Sequence, residues 1–212
     1  MILSSMAKNG VILSTFALAT TGLVATINML TADKIAEQEL LQLTTQLHEV
    51  LDPRAYDNQL SHDCVIINDP RLGPYADQVV YRARKNNLPV ALVVRHITPN
   101  GYSGDINLLT AVLSDGRIAG VRSTKHAETP GLGDKVEIRK SAWISSFNNM
   151  TVRSADDERW AVKKDGGQFD QFTGATITPR AVIGSVKNAV LFAKDEFDAV
   201  FAAPNACVEV SQ

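Results

Sequence analysis

Hydrophobic positions change rhythm several times along the 212 residues. From Gly10 to Leu30 the chain reads GVILSTFALATTGLVATINML, an uncharged run of 21 residues. As a helix it covers about 30 Å, the thickness of a bilayer's hydrocarbon core. Ala32 to Leu51 then places apolar residues among charges and is expected to continue as an amphipathic helix until Asp52-Pro53 ends it. Residues 52–77 carry Pro53, Pro70 and Pro74 and are expected to be mostly loop. Strand patterns follow: Val79 to Ala83 and Leu88 to Ile97 flank Arg84-Lys85-Asn86-Asn87, a hairpin turn. Ile106 to Leu113 and Arg117 to Ser123 flank Ser114-Asp115-Gly116, and Asp-Gly is among the strongest hairpin signals. Lys135 to Phe147 predicts a short helix with Trp143 and Phe147 on one face, and Trp160 to Lys164 predicts a further strand. After Pro179 the period becomes helical, with Val182, Val186, Ala189, Val190, Ala193, Phe197 and Val200 on one face. Thr178 is the expected N-cap of that helix and Pro179 its first residue. Hairpins with attached helices predict an α+β fold with an antiparallel sheet. The expected organisation is a cytoplasmic tip and membrane helix over 1–31, a connecting helix and loop over 32–77, and a globular domain over 78–212.

Composition adds the compartment. Hydrophobic residues make up 45% and charged residues 21%, enough apolar mass for a packed core. A net charge of −2 gives no general attraction to nucleic acid. Ala17-Leu18-Ala19 would suit signal-peptide cleavage, but the apolar run continues well past Ala19, as an anchor does and a processed leader does not. Gly22, Ala17, Ala19, Ala25 and Ser14 suit close packing against other membrane helices, so membrane-embedded partner subunits are expected. Lys8 is the only charged residue in 1–31, and Asp33, Glu37, Glu39 and Glu49 follow the span. That asymmetry is expected to put the N-terminus in the cytoplasm and the main domain outside it, on the periplasmic side. Cys64 and Cys207 form no C-x-x-C or zinc pattern. In an oxidising compartment they suit a disulfide, and two free buried thiols are the alternative.

Most ready chemistries are excluded. Gly131-Leu132-Gly133 lacks the third glycine and the parallel βαβ setting of a dinucleotide fingerprint. No Walker loop and no local metal pattern is found; His48, His62, His96 and His126 are read as surface or core residues. No nucleophile motif and no catalytic acid or base stands out. What remains is Thr173-Gly174-Ala175-Thr176 at a helix entrance, where unpaired amides and the dipole favour an anion and small residues admit a close approach. A capped helix whose threonines satisfy their own backbone is the plainer alternative. Trp143, Trp160 and Phe172 are read as core aromatics that could also stack on a ring.

Asp170-Gln171-Phe172-Thr173-Gly174-Ala175-Thr176 resembles the D-x-x-[S/T]-G-A-T signature of domains that carry FMN on threonine through a phosphodiester. Gly101-Tyr102-Ser103-Gly104 and His126 to Lys135 (HAETPGLGDK) fit the same family in the same order. With the anchor, the whole chain resembles the G-subunit family of Rnf-type ion-translocating electron-transport complexes, related more distantly to the C subunit of the sodium-pumping NADH:quinone oxidoreductase. The resemblance implies Thr176 as the covalent FMN acceptor, with Asp170 in the stretch recognised by a flavin transferase that uses FAD and magnesium. It implies Thr173, Gly174, Ala175 and Thr178 around the phosphate. Glu128, Thr129, Pro130, Gly131, Leu132 and Gly133 would form a loop against the isoalloxazine, with Tyr102, Ser103 and Gly104 beside the same pocket. The implied role is an electron relay inside a complex moving electrons between ferredoxin and NAD(H) while ions cross the membrane. A periplasmic binding or assembly module without cofactor is the competing class.

Overall fold

A computed structural model describes residues 2–207; Met1 and 208–212, the outermost ends of the expected first and third segments, lie outside the described residues. The first element is a long helix, α1 (Ile2–Val50). The chain divides into two compact units, Met1–Gln42 and Leu43–Gln212. In the first, Met6–Ala32 has a mean hydropathy of 1.8 and is long and apolar enough to cross a membrane. Four of its five threonines are no obstacle to that. The hydroxyls of Thr15, Thr20, Thr26 and Thr31 each donate to the carbonyl four residues back, so none presents an unpaired donor to an apolar surrounding.

The second unit is built on a five-stranded antiparallel meander: β1 (Cys64–Ile67), β2 (Gln78–Lys85), β3 (Leu88–Gly101), β4 (Gly104–Leu113) and β5 (Ile118–Lys125), in spatial order 1 to 5. Fold class is α+β, as the alternating pattern predicts. The β2–β3 turn is made by Asn86 and Asn87 at φ of 52° and 61°. These are the left-handed values a type I′ turn requires and asparagine tolerates. Gly116, at φ 79°, supplies the same freedom between β4 and β5.

Both faces of the sheet are covered. On one lie α2 (Ile177–Asp195) and α3 (Phe197–Ala202), packing Val182, Val186, Val190, Ala193 and Val200 on Val80, Leu92, Val94, Leu108 and Val121. On the other, Leu47, Val50 and Leu51 at the end of α1 meet Tyr81, Ala83, Ala91, Val93, Leu109 and Ala111. Two-sided burial explains why Ala91 to Val94 is a continuous apolar run. Gly120 marks the closest approach: a Cβ there would sit 2.6 Å from the Val50 carbonyl oxygen.

Four local expectations are corrected. The stretch 135–147 forms two short 3₁₀ helices, Gly133–Val136 and Ala142–Phe147, although Trp143 and Phe147 do meet, edge to face at 5.4 Å. Residues 160–164 are not a strand. Val162 makes a single bridge to Phe169 and a 3₁₀ turn follows at Lys163–Asp165, because Trp160 and Phe169 are drawn into an aromatic cluster around Phe147. The loop-like 52–77 contains β1, pairing Cys64–Ile67 with Tyr81–Gln78. Finally, α2 begins at Ile177, with Thr176 in the cap position and making no side-chain cap bond; the helical face runs on, but Glu196 separates α2 from α3.

Candidate functional site

Three segments distant in sequence meet at the start of α2. The first is the β3–β4 hairpin tip, where Gly101 pairs with Gly104 and leaves Tyr102 and Ser103 as the turn. Gly104 adopts φ 106°, and a Cβ on Gly101 would run into the Gly104 carbonyl, so both glycines are demanded by the turn. The second is the loop after β5. The Thr129 carbonyl accepts from the amides of Leu132 and Gly133, both at 3.1 Å, and Gly131 turns the chain at φ 78°. The third is Asp170 to Thr176. Its start is pinned by the Trp143 indole, which donates to the Asp170 carbonyl at 2.7 Å, and by Lys163, 2.6 Å from the Asp170 carboxylate. Phe172 is buried against Trp143 at 4.9 Å, and Ala175 donates back to the Phe172 carbonyl. Gly174, at φ 78°, turns the chain into the helix.

Between these segments lies a cavity of about 270 Å³ lined by Tyr102, Glu128, Thr129, Leu132, Gly133, Gly174, Ala175, Thr176, Ile177 and Thr178. Tyr102, Leu132 and Ile177 are exposed large side chains at its rim. Of the residues singled out from sequence, Ser103, Gly104, Pro130, Gly131 and Thr173 support the walls without lining the cavity. Asp170 is exposed at the base of its loop, where its ion pair with Lys163 is worth little, of the order of 1 kcal/mol or less. Ile177 was missed: reading Thr178 as the cap made it a spacer, whereas the helix starts on it.

Thr178 is the main correction at residue level. It is not the N-cap; it lies fully buried in the first turn and its hydroxyl donates to Glu128 Oε2. Glu128, only 5% exposed, accepts through Oε1 from the Ser103 amide at 3.0 Å. Its own amide donates to His126 Nδ1 at 3.1 Å, which assigns the His126 proton to Nε2, 3.1 Å from Glu137 Oε1. A Cβ on Gly133 would come within 2.7 Å of Glu128 Oε2 and 3.0 Å of Thr178 Oγ1, so that glycine makes room for the pair. Nearby, Arg180 is gripped by Asp165 through two contacts of 2.7 Å, which hold the Asp165 carboxyl below its usual range.

The arrangement is suited to an anion attached to a flat apolar group. The first amides of α2 have no intrahelical partner, the Thr176 hydroxyl is not used for capping, and Leu132, Tyr102 and Ile177 offer apolar surface beside them. Cys64 and Cys207 are disulfide-bonded, tying the chain after α3 to β1.

Comparison with known proteins agrees with this geometry. The FMN-binding domain model matches residues 101–191, which include the hairpin tip, the post-β5 loop and the start of α2, and the RnfG N-terminal region model matches residues 1–50. The G subunit of the ion-translocating oxidoreductase complex from Shewanella piezotolerans is 46% identical over 204 residues, 96% of each chain. That of Photorhabdus laumondii is 50% identical over 191 residues, 90% of this chain and 91% of the relative. That of Vibrio cholerae is 43% identical over 206 residues, 97% of this chain and 99% of the relative. Identity of this order across nearly the full length of both partners places the chain in the family of G subunits of ion-translocating oxidoreductase complexes.

Proposed function

We propose that the protein is a membrane-anchored flavoprotein subunit, relaying electrons through FMN carried on Thr176 within a complex that couples electron transfer to ion translocation. The observation that carries it is the Thr176 hydroxyl, free of capping duty at a helix N-terminus that opens on the cavity. That end of the helix matches the single negative charge an FMN phosphodiester keeps, and Gly174 and Ala175 leave the phosphate room. Leu132, Tyr102 and Ile177 would flank the isoalloxazine, which supplies the redox chemistry when bound; the protein contributes position and local electrostatics. No side chain is assigned as acid or base.

Attachment would fall to a flavin transferase acting with magnesium. The Thr176 oxygen bonds to the FMN phosphorus of FAD, the diphosphate bond breaks, AMP leaves with its electron pair, and the threonine proton is lost. Exposed Asp170 lies where such an enzyme would read the loop. A tether would also prevent loss of cofactor outside the cytoplasm; Lys8 before the span and the Cys64–Cys207 disulfide, which suits an oxidising compartment, support that location for the domain. The other subunits of the complex in the inner membrane are the expected partners.

The test is in-gel fluorescence after denaturation, on protein co-expressed with a flavin transferase. The wild type should give a fluorescent band and Thr176→Val none, with circular dichroism unchanged. A dark wild-type band beside an active transferase would favour a periplasmic binding or assembly module without cofactor.

A further inference from the structure

Among the described residues Glu128 is the one carboxylate lining the cavity, and three elements converge on it. The hairpin tip reaches it through the Ser103 amide, α2 through the Thr178 hydroxyl, and its own loop is held by the His126 bond to its amide. Gly101 and Gly133 both lack the Cβ that would strike its oxygens, at 2.8 Å and 2.7 Å. A pure clamp would not need a charge, since two neutral donors bind an amide oxygen or a hydroxyl without the desolvation that a buried carboxylate costs. Among the described residues no Lys, Arg or His side chain is hydrogen-bonded to the Glu128 carboxylate; the donors to it are the Ser103 amide and the Thr178 hydroxyl.

The geometry points to Glu128 as a positioning residue with a second office: its carboxylate at the cavity wall, bonded by neutral donors and by no cationic side chain among the described residues, lowers the reduction potential of the bound flavin. The inference rests on the FMN assignment above. Each electron entering the ring from a donor centre adds one negative charge unless one proton follows, and a carboxylate across a cavity of this size opposes that charge in a medium less screening than water. The brace and the charge are separable. Glutamine at 128 keeps an oxygen for the Ser103 amide and offers an NH₂ to the Thr178 hydroxyl, which rotates to accept, so Glu128→Gln removes the charge and preserves both contacts. Thr178→Val does the reverse.

The experiment is spectroelectrochemical titration of purified, flavinylated wild type, Glu128→Gln and Thr178→Val, with thermal melts of each made without the transferase. Expected is wild-type flavin content and a more positive midpoint in Glu128→Gln, with the equilibrium constant for the first electron raised roughly tenfold. Thr178→Val should melt lower with no positive shift. An unchanged midpoint in Glu128→Gln, a shift in the same direction in both variants, or loss of flavin from Glu128→Gln alone overturns the inference. A wild type that carries no flavin instead overturns the FMN assignment, and this one with it.

Discussion

At the scale of single residues, the pair Thr178–Glu128 carries a stability consequence distinct from its redox one. Removing the hydroxyl leaves a buried carboxylate oxygen short of a donor, a loss of about 1–3 kcal/mol, so Thr178→Val should show a lower denaturation midpoint in urea. His96 is a second buried polar centre. Its ring is completely enclosed, with Nδ1 2.7 Å from Ser185 Oγ and Nε2 2.8 Å from Thr110 Oγ1, and burial pushes its pKa down to about 3. The unfolded chain protonates this group near 6.5 and the folded one does not until about 3. Folding stability is therefore full above 6.5 and falls as the pH drops through that window, by up to about 1.4 kcal/mol per pH unit. Chemical denaturation at pH 7 and pH 5 should differ by about 2 kcal/mol from His96 alone. Asp157, held far below the carboxylate range by the Arg159 guanidinium and the Arg153 amide, loses its contribution only at much lower pH.

At the scale of elements, two glycines make opposite forecasts. In Gly120→Ala the new methyl group meets the Val50 carbonyl, so the end of α1 must shift, at a cost of about 1–3 kcal/mol. In α2, a Cβ at Gly184 meets nothing within 4 Å, so Gly184→Ala should raise stability by about 0.5–1 kcal/mol through helix propensity and a less flexible unfolded chain. Thermal melts of the two variants read both signs. The same contrast separates what was legible in the sequence from what was not. The β2–β3 and β4–β5 turns and the buried face of α2 could be read because each is set by neighbours a few residues away. The four-residue β1 was lost among prolines because its edge position depends on β2. The start of α2 was misplaced by two residues because Thr178 looks like a cap until Glu128, 50 residues earlier, claims its hydroxyl. The family motifs named most residues of the cavity, but not Ile177 at its rim.

For the molecule as a whole, the crosslink between Cys64 and Cys207 is the feature with the longest reach, spanning 143 residues. It is supported by Asn205, whose side chain accepts from the Cys64 amide at 3.0 Å and donates to the His62 carbonyl at 2.7 Å. Opening it by Cys207→Ser should destabilise the folded domain by about 2–5 kcal/mol, read as a lower midpoint in guanidinium, while the sheet's circular dichroism persists. A sulfur bridge that encloses the five strands, the four connections between them, α2 and α3 also imposes an order of events. With the domain placed outside the cytoplasm as proposed, it could not close until Cys207 itself had crossed the bilayer, so the polypeptide would pass as a reduced thread and be crosslinked on the far side. On the proposed attachment of FMN, a transferase acting on Thr176 there would meet a substrate whose outline depends on whether the oxidant arrived first, and starving cells of thiol oxidase should then slow the appearance of the flavinylated form.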